Sequence, residues 1–206
     1  MIVVLNPGHV FIKEGDLNNT PGKRSPDSKV IEAVWNLDVA NRVQNLFKAA
    51  NIETVIAHAP TEKESLTYPV KVTNSLCDKH GAKHVLFVSI HVNAAGNGQW
   101  LKAQGWSIWT TKGVTRSDEL ATTIWNHAKK EFTDRVVRAD YQDSDPDYEA
   151  NFYVIRKVNC PAVLVENFFM DNKEDCLFLQ TEEGKNRCAK VIFEGVKEYI
   201  DKHTSK

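Results

Sequence analysis

The chain has 206 residues with 26 basic and 27 acidic side chains, a formal net charge of −1, and 42% hydrophobic residues. Bases interleaved with acids form no stripe for phosphates, so no nucleic acid partner is expected. No window reaches the roughly 18 consecutive apolar residues of a membrane span, so no membrane insertion is expected, and Met1 leads directly into an apolar run, so no signal peptide is visible.

The length suits one domain with a sizeable core and requires no second one. Ile2–Leu5 predicts a first strand, closed by Asn6-Pro7-Gly8-His9. Residues 10–28, with Gly15, Asn18, Asn19, Pro21, Gly22, Pro26 and Asp27, cannot pack and predict a surface loop. Val30, Val34, Leu37, Ala40, Val43 and Phe47 recur at helical spacing, with Asp27 or Ser28 as the cap. Glu53–Ala57 predicts a second strand, and 68–80 a helix with Pro69 in its first turn and Val72, Leu76 and Cys77 inward. Val85–Ile90 is a strand ending in His91, and Trp106–Thr111 another. Ser117, followed by Asp118 and Glu119, starts a helix through Ile124 and Ala128. A polar stretch over 133–151 leads through Phe152–Ile155 to the strand Ala162–Val165 and Glu166, and a final helix turns Cys188, Val191, Ile192, Val196 and Tyr199 to one face. Apolar runs alternating with helical patterns predict a single-domain α/β fold: a mostly parallel twisted sheet of about six strands with helices on both faces.

Four polar residues stand at strand ends or in a helix's first turn: His9, Glu32, His91 and Glu166. Each has an ordinary explanation when taken alone. A histidine after Pro-Gly suits a turn, and an acid in a first turn complements the helix dipole. His91 and Glu166 are harder to explain so, because an imidazole or carboxylate ending a buried strand needs a partner. Two imidazoles and a carboxylate form an open zinc set, with a further carboxylate free to move protons. The cysteines, Cys77, Cys160, Cys176 and Cys188, lack a CxxC pair and read as reduced core thiols, not zinc ligands.

The ordered motifs Asn6-Pro-Gly-His9, Glu32 with Asn36-Leu37, Ser89-Ile-His-Val-Asn-Ala94 and Val165-Glu-Asn-Phe-Phe169 extend over nearly the whole chain. They resemble the zinc-dependent N-acetylmuramoyl-L-alanine amidases, a family whose strands end in Asp-Pro-Gly-His, Ser-Ile-His-x-Asn-Ala and Val-Glu-x-Gly-Phe. The resemblance implies that His9, Glu32 and His91 bind Zn2+, that Glu166 is the catalytic base and then acid, and that the substrate is the muramoyl–L-alanine amide of peptidoglycan. One catalytic domain over 1–206 is expected, with no separate wall-binding domain, acting as a monomer. Asn6 stands where aspartate is usual, and its amide is expected to accept a hydrogen bond from the His9 ring. Val10-Phe11 and Asn167-Phe168 replace the usual glycines, which predicts a reshaped pocket rim.

Two other readings remain: a zinc peptidase cutting within stem peptides, and a noncatalytic wall-binding module that keeps the fold. With no visible leader, two routes to the wall fit, phage-type release from the cytoplasm or secretion with the leader removed. Asp143, Asp145 and Asp147 alternate as at the start of an EF-hand, but the sixth position is Tyr148 and the twelfth Val154. The segment 140–149 is therefore expected to be a solvated loop beside the pocket. Trp100, Trp106 and Trp109 are expected in the core, and His58, His80, His84, His127 and His203 in structural or surface positions.

Overall fold

The computed structural model describes residues 1–10, 23–96 and 98–204. Most of the surface loop expected over 10–28 lies outside these residues. The elements in chain order are β1 (Ile2–Pro7), α1 (Glu32–Ala49), β2 (Thr54–Ile56), α2 (Thr67–His80), β3 (Val85–Asn93), β4 (Ser107–Thr110), α3 (Arg116–Glu131), β5 (Tyr148–Glu149), α4 (Tyr153–Arg156), β6 (Ala162–Phe169), α5 (Lys173–Leu179) and α6 (Glu182–Thr204).

The six strands form one sheet in the order β2-β1-β3-β6-β4-β5. All neighbours run parallel except β4, which runs antiparallel to β6. β1, β3 and β6 are central and covered on both faces, which explains their near-continuous apolar runs. Val3, Leu5, Leu86, Val88, Val163 and Val165 project toward α1, α3 and α6. Alternate residues Val4, Val85, Phe87, Ala162 and Leu164 meet Cys77 of α2 and Val154 and Ile155 of α4 on the other face. The helices thus cover both faces, as expected from the sequence. All four cysteines are free thiols, and Cys77, Cys176 and Cys188 are buried.

Two helices differ in detail from the expectation. α1 is rotated: Val34 is exposed and Leu37 half-buried, while Trp35, Asn36, Val39, Val43 and Phe47 face inward. Polar contacts account for this, because Asn36 Nδ2 donates to the Gly8 carbonyl at 3.0 Å and Trp35 Nε1 to the Leu179 carbonyl at 2.8 Å. Neither Asp27 nor Ser28 caps α1; Ile31 is the N-cap residue and makes no side-chain cap bond. α3 begins before Ser117, since Thr115 and Asp118 form a reciprocal capping box.

The 140–149 segment is not uniformly solvated either. Asp147 is 2% exposed and bonded to Thr110, and β5 joins the sheet edge directly after it. Of the three tryptophans expected in the core, Trp106 is fully buried and Trp109 half-buried, while Trp100 is exposed.

The end of β6 shows how this chain manages without a glycine. The pairing with β3 shifts between His91 and Asn93, and Phe168 takes a left-handed backbone with φ +65°. Such a conformation costs a non-glycine residue about 1–2 kcal/mol. The Phe168 ring is fully buried against Phe132 and Phe178, at 4.9 and 5.2 Å between centroids. Deleting a buried aromatic costs about 3–5 kcal/mol, so packing outweighs the strain. Both Phe168→Gly and Phe168→Ala should therefore destabilise the fold in urea denaturation. Glycine should be the milder by about 1 kcal/mol, the reverse of the usual strand preference; equal losses would show that φ is not strained.

Candidate metal centre and active site

Open α/β sheets bind ligands beyond the carboxyl ends of their strands, and the sequence motifs converge there. β1 leads to Gly8 and His9. His91 of β3 lies directly opposite Glu166 of β6 in the parallel register, so the two side chains leave the same face of the sheet. Glu32 opens α1, and its backbone N–H donates to the Lys23 carbonyl.

His9 has φ +64°, a left-handed turn that aims its ring back over the strand ends. Gly8 before it packs directly on the other imidazole, since a Cβ there would lie 2.0 Å from His91 Cε1. The two rings meet edge to face, with centroids 5.3 Å apart. Glu32, 3% exposed, divides its carboxylate between them: Oε2 lies 3.2 Å from His9 Nε2 and Oε1 3.0 Å from His91 Nδ1. Burial opposes the ionisation of Glu32, but the hydrogen bonds and charges of His9 and His91 prevail and hold its carboxyl well below the usual range.

A chain of hydrogen bonds behind His91 settles its tautomer. Asn6 Nδ2 donates to the Ala57 and Pro7 carbonyls, which turns Oδ1 toward Ser89, and the Ser89 hydroxyl donates to it at 2.9 Å. With its proton committed, Ser89 Oγ accepts from His91 Nε2 at 3.1 Å. Nδ1 of the neutral ring then carries a lone pair aimed at Glu32 Oε1, itself an acceptor. Burial also lowers the pKa of His91 and favours that neutral ring. Two acceptors facing each other at 3.0 Å need a proton or a metal cation between them: a proton makes the ring the charged donor that holds Glu32 ionised, and a divalent metal takes the place of that proton. One ligand atom each from His9, Glu32 and His91 lie within 4.8 Å of one another, and two imidazole nitrogens with a carboxylate suit a divalent transition metal. The expected bond from His9 to Asn6 is not among the hydrogen bonds of Asn6, whose amide serves His91 through Ser89 instead.

These residues line a cavity of about 440 Å³ that also takes in Lys23, Leu66, Asn93, Phe152, Tyr153 and Glu166. Glu166 Oε2 is out of solvent contact and has no hydrogen-bond partner among the described residues. Burial, and next the negative charge of Glu32, push the Glu166 carboxyl well above the ordinary carboxylate range, while Lys23 counters them. The structure thus brings all four residues singled out in the sequence to one cavity. Sequence reasoning missed Ser89, although a serine two residues before His91 shares its strand face. It also missed Lys23, which fell in the stretch read as surface loop, and gave no role to Asn36, which it noted only as part of a motif.

The N-acetylmuramoyl-L-alanine amidase family matches residues 3–198. The chain is similar to an uncharacterized cell wall amidase of Bacillus anthracis, 28% identical over 97% of this chain and 35% of that protein. It is also 28% identical to the N-acetylmuramoyl-L-alanine amidase LytC of Bacillus subtilis, over 96% of this chain and 35% of LytC. It therefore spans about a third of the length of these relatives. Among solved structures, the catalytic domain of the amidase CwlV from Bacillus (Paenibacillus) polymyxa superposes with a TM-score of 0.74 at 25% identity, covering 97% of this chain and 98% of that one. An N-acetylmuramoyl-L-alanine amidase from Clostridium difficile gives 0.73 at 28%, with 97% and 96% covered.

The support behind His91 has a measurable consequence. Ser89→Ala removes the acceptor for Nε2–H and frees the ring to change tautomer. Zn2+ titration should show affinity reduced about 10- to 100-fold with the fold intact. Unchanged affinity would mean that the Asn6–Ser89 chain does not orient His91.

Proposed function

Because the chain belongs to the N-acetylmuramoyl-L-alanine amidase family, we propose that it hydrolyses the amide between the lactyl group of muramic acid and the L-alanine of the peptidoglycan stem peptide, in cell-wall degradation or lysis. The observation that carries this reading is the buried Glu166 Oε2, without a hydrogen-bond partner among the described residues, in the same cavity as the His9–Glu32–His91 donor set.

His9, Glu32 and His91 would hold Zn2+, which supplies a Lewis acid for the scissile carbonyl and brings the pKa of a bound water down to roughly 7. Glu32 contributes the negative charge of the set, and its seat between the rings keeps that charge ionised. Ser89 and Asn6 keep the lone pair of His91 Nδ1 turned toward the centre. Glu166 does the proton work. It removes a proton from the attacking water as oxygen bonds to the carbonyl carbon, and delivers that proton to the departing L-alanine nitrogen as the C–N bond breaks. A carboxylate whose proton affinity is raised by burial suits both halves, because it takes the proton readily and holds it until the amine leaves.

Residues 1–206 would act as one catalytic unit, a monomer on muropeptide substrate, with no role for nucleic acid. No helix among the described residues is long and apolar enough to cross a membrane. Release in the manner of a phage endolysin and secretion both deliver such a unit to its substrate. The endolysin of Bacillus phage SPP1, 30% identical over 59% of this chain and 42% of its own length, supports the first route, and the cell wall amidases above support the second.

Hydrolysis of purified peptidoglycan by zinc-loaded protein, followed by mass spectrometry, tests the reading. The expected products are free stem peptides with a new L-alanine amino terminus. Peptides cut internally, still joined to muramic acid, would replace the amidase with a zinc endopeptidase, and an absence of products would leave a wall-binding module. Glu166→Gln should lower turnover by about 10²- to 10⁴-fold with zinc retained, whereas His9→Ala or His91→Ala should release the metal.

A further inference from the structure

A second group of carboxylates gathers where β4, the first turn of α3 and the turn before β5 meet. One oxygen each of Asp118, Asp145 and Asp147 lie within 4.8 Å of one another. Asp147 is 2% exposed, and its Oδ2 accepts from the Thr110 hydroxyl at 2.5 Å. Its Oδ1 has no solvent contact and no hydrogen-bond partner among the described residues, and the same holds for Oδ1 of Asp145. Buried carboxylate oxygens left unpaired beside other carboxylates need either a proton or a cation. Burial, and next its contact with Asp145, push the Asp147 carboxyl up to about 8. The strongest influences on Asp147 after these come from Thr110 and Asp118, and none is cationic.

We propose that Asp118, Asp145 and Asp147 form a binding site for a hard divalent cation of the calcium class, with the Thr110 hydroxyl beside it. The donors are all oxygen, which suits calcium and disfavours softer metals. Calcium accepts the irregular geometry that a helix turn and a loop supply together, with water completing its shell. This arrangement is not an EF-hand, because Asp118 comes from α3, outside the loop that carries the other two. That division is why loop spacing alone speaks against a cation here.

The site bears on the catalytic cavity. Tyr148, next to Asp147, stacks on Trp109 at 4.8 Å, and Trp109 packs on Phe152 at 5.6 Å. Phe152 lines the catalytic cavity, so a cation at Asp147 ties down the segment that builds one wall of that cavity.

Zinc-loaded protein in calcium-depleted buffer provides the test, with the catalytic centre already filled. Adding Ca2+ to a hundredfold excess over its dissociation constant should raise Tm by about 5–10 °C. Tb3+ should bind one equivalent, emit on excitation of Tyr148 and Trp109, and be displaced by Ca2+. Asp147→Asn keeps an acceptor for Thr110 and places an amide among the other carboxylates. It should melt at or above calcium-depleted wild type and lose both the calcium response and the terbium signal. Asp145→Asn, a less buried change, should weaken Ca2+ binding at least about tenfold. Wild type that shows neither a calcium-dependent shift nor terbium emission overturns the proposal and leaves a shared proton on the cluster. A calcium shift undiminished in both variants overturns it too, because the ion would then bind elsewhere.

Discussion

The structure depends first on seating one carboxylate, that of Glu32, between two imidazoles at the sheet's carboxyl edge. An ionised carboxylate taken out of water is costly by several kcal/mol unless its charge and lone pairs are answered. Here both oxygens are used, one for each ring, with the Val92 N–H as a further donor to Oε1. Much of the local geometry serves that arrangement. α1 rotates to bring Glu32 and Asn36 inward and leaves Val34 in solvent. Gly8 lacks a side chain because the His91 ring occupies the space, and His9 takes a left-handed backbone in the turn that follows.

The same edge carries a second carboxylate with the opposite character. Glu32 is held ionised by the histidines, whereas Glu166 is made a stronger proton acceptor by burial and by the negative charge of Glu32. Two like groups in one cavity thereby acquire opposite proton affinities, set by their environments, which suits the proposed division between metal binding and proton transfer. The two are linked, since the ionised Glu32 helps raise the proton affinity of Glu166.

Departures from the family pattern are absorbed by local physical substitutes. Asn6, uncharged where an aspartate is usual, has its amide oriented by two backbone carbonyls and so presents an acceptor to Ser89 and, through it, a defined tautomer of His91. Phe168, where glycine is usual, accepts an unfavourable φ and offsets it with a fully buried ring. Asn167 stabilises the same irregular turn by donating to the His91 carbonyl and accepting from Trp106 Nε1. Each substitution exchanges one stabilising device for another, and His91 stays paired with Glu166 ahead of the register shift.

By itself the sequence determined the α/β class, the central strands and the placing of His9, His91 and Glu166 at strand ends and Glu32 at a helix start, because apolar periodicity and the polar residues that close such runs are local properties of the chain. The ordered motifs carried the family as well. Only the tertiary structure decided the rotation of α1, the tautomer of His91, the left-handed Phe168 and the joining of Asp118 to Asp145 and Asp147. Those depend on contacts between residues far apart in the chain: Asn6 with Ser89, Asn36 with Gly8, Thr110 with Asp147. A periodic pattern records how often a side chain faces inward, but not which partner it meets there, and that partner sets the proton affinities and the rotation of the helix.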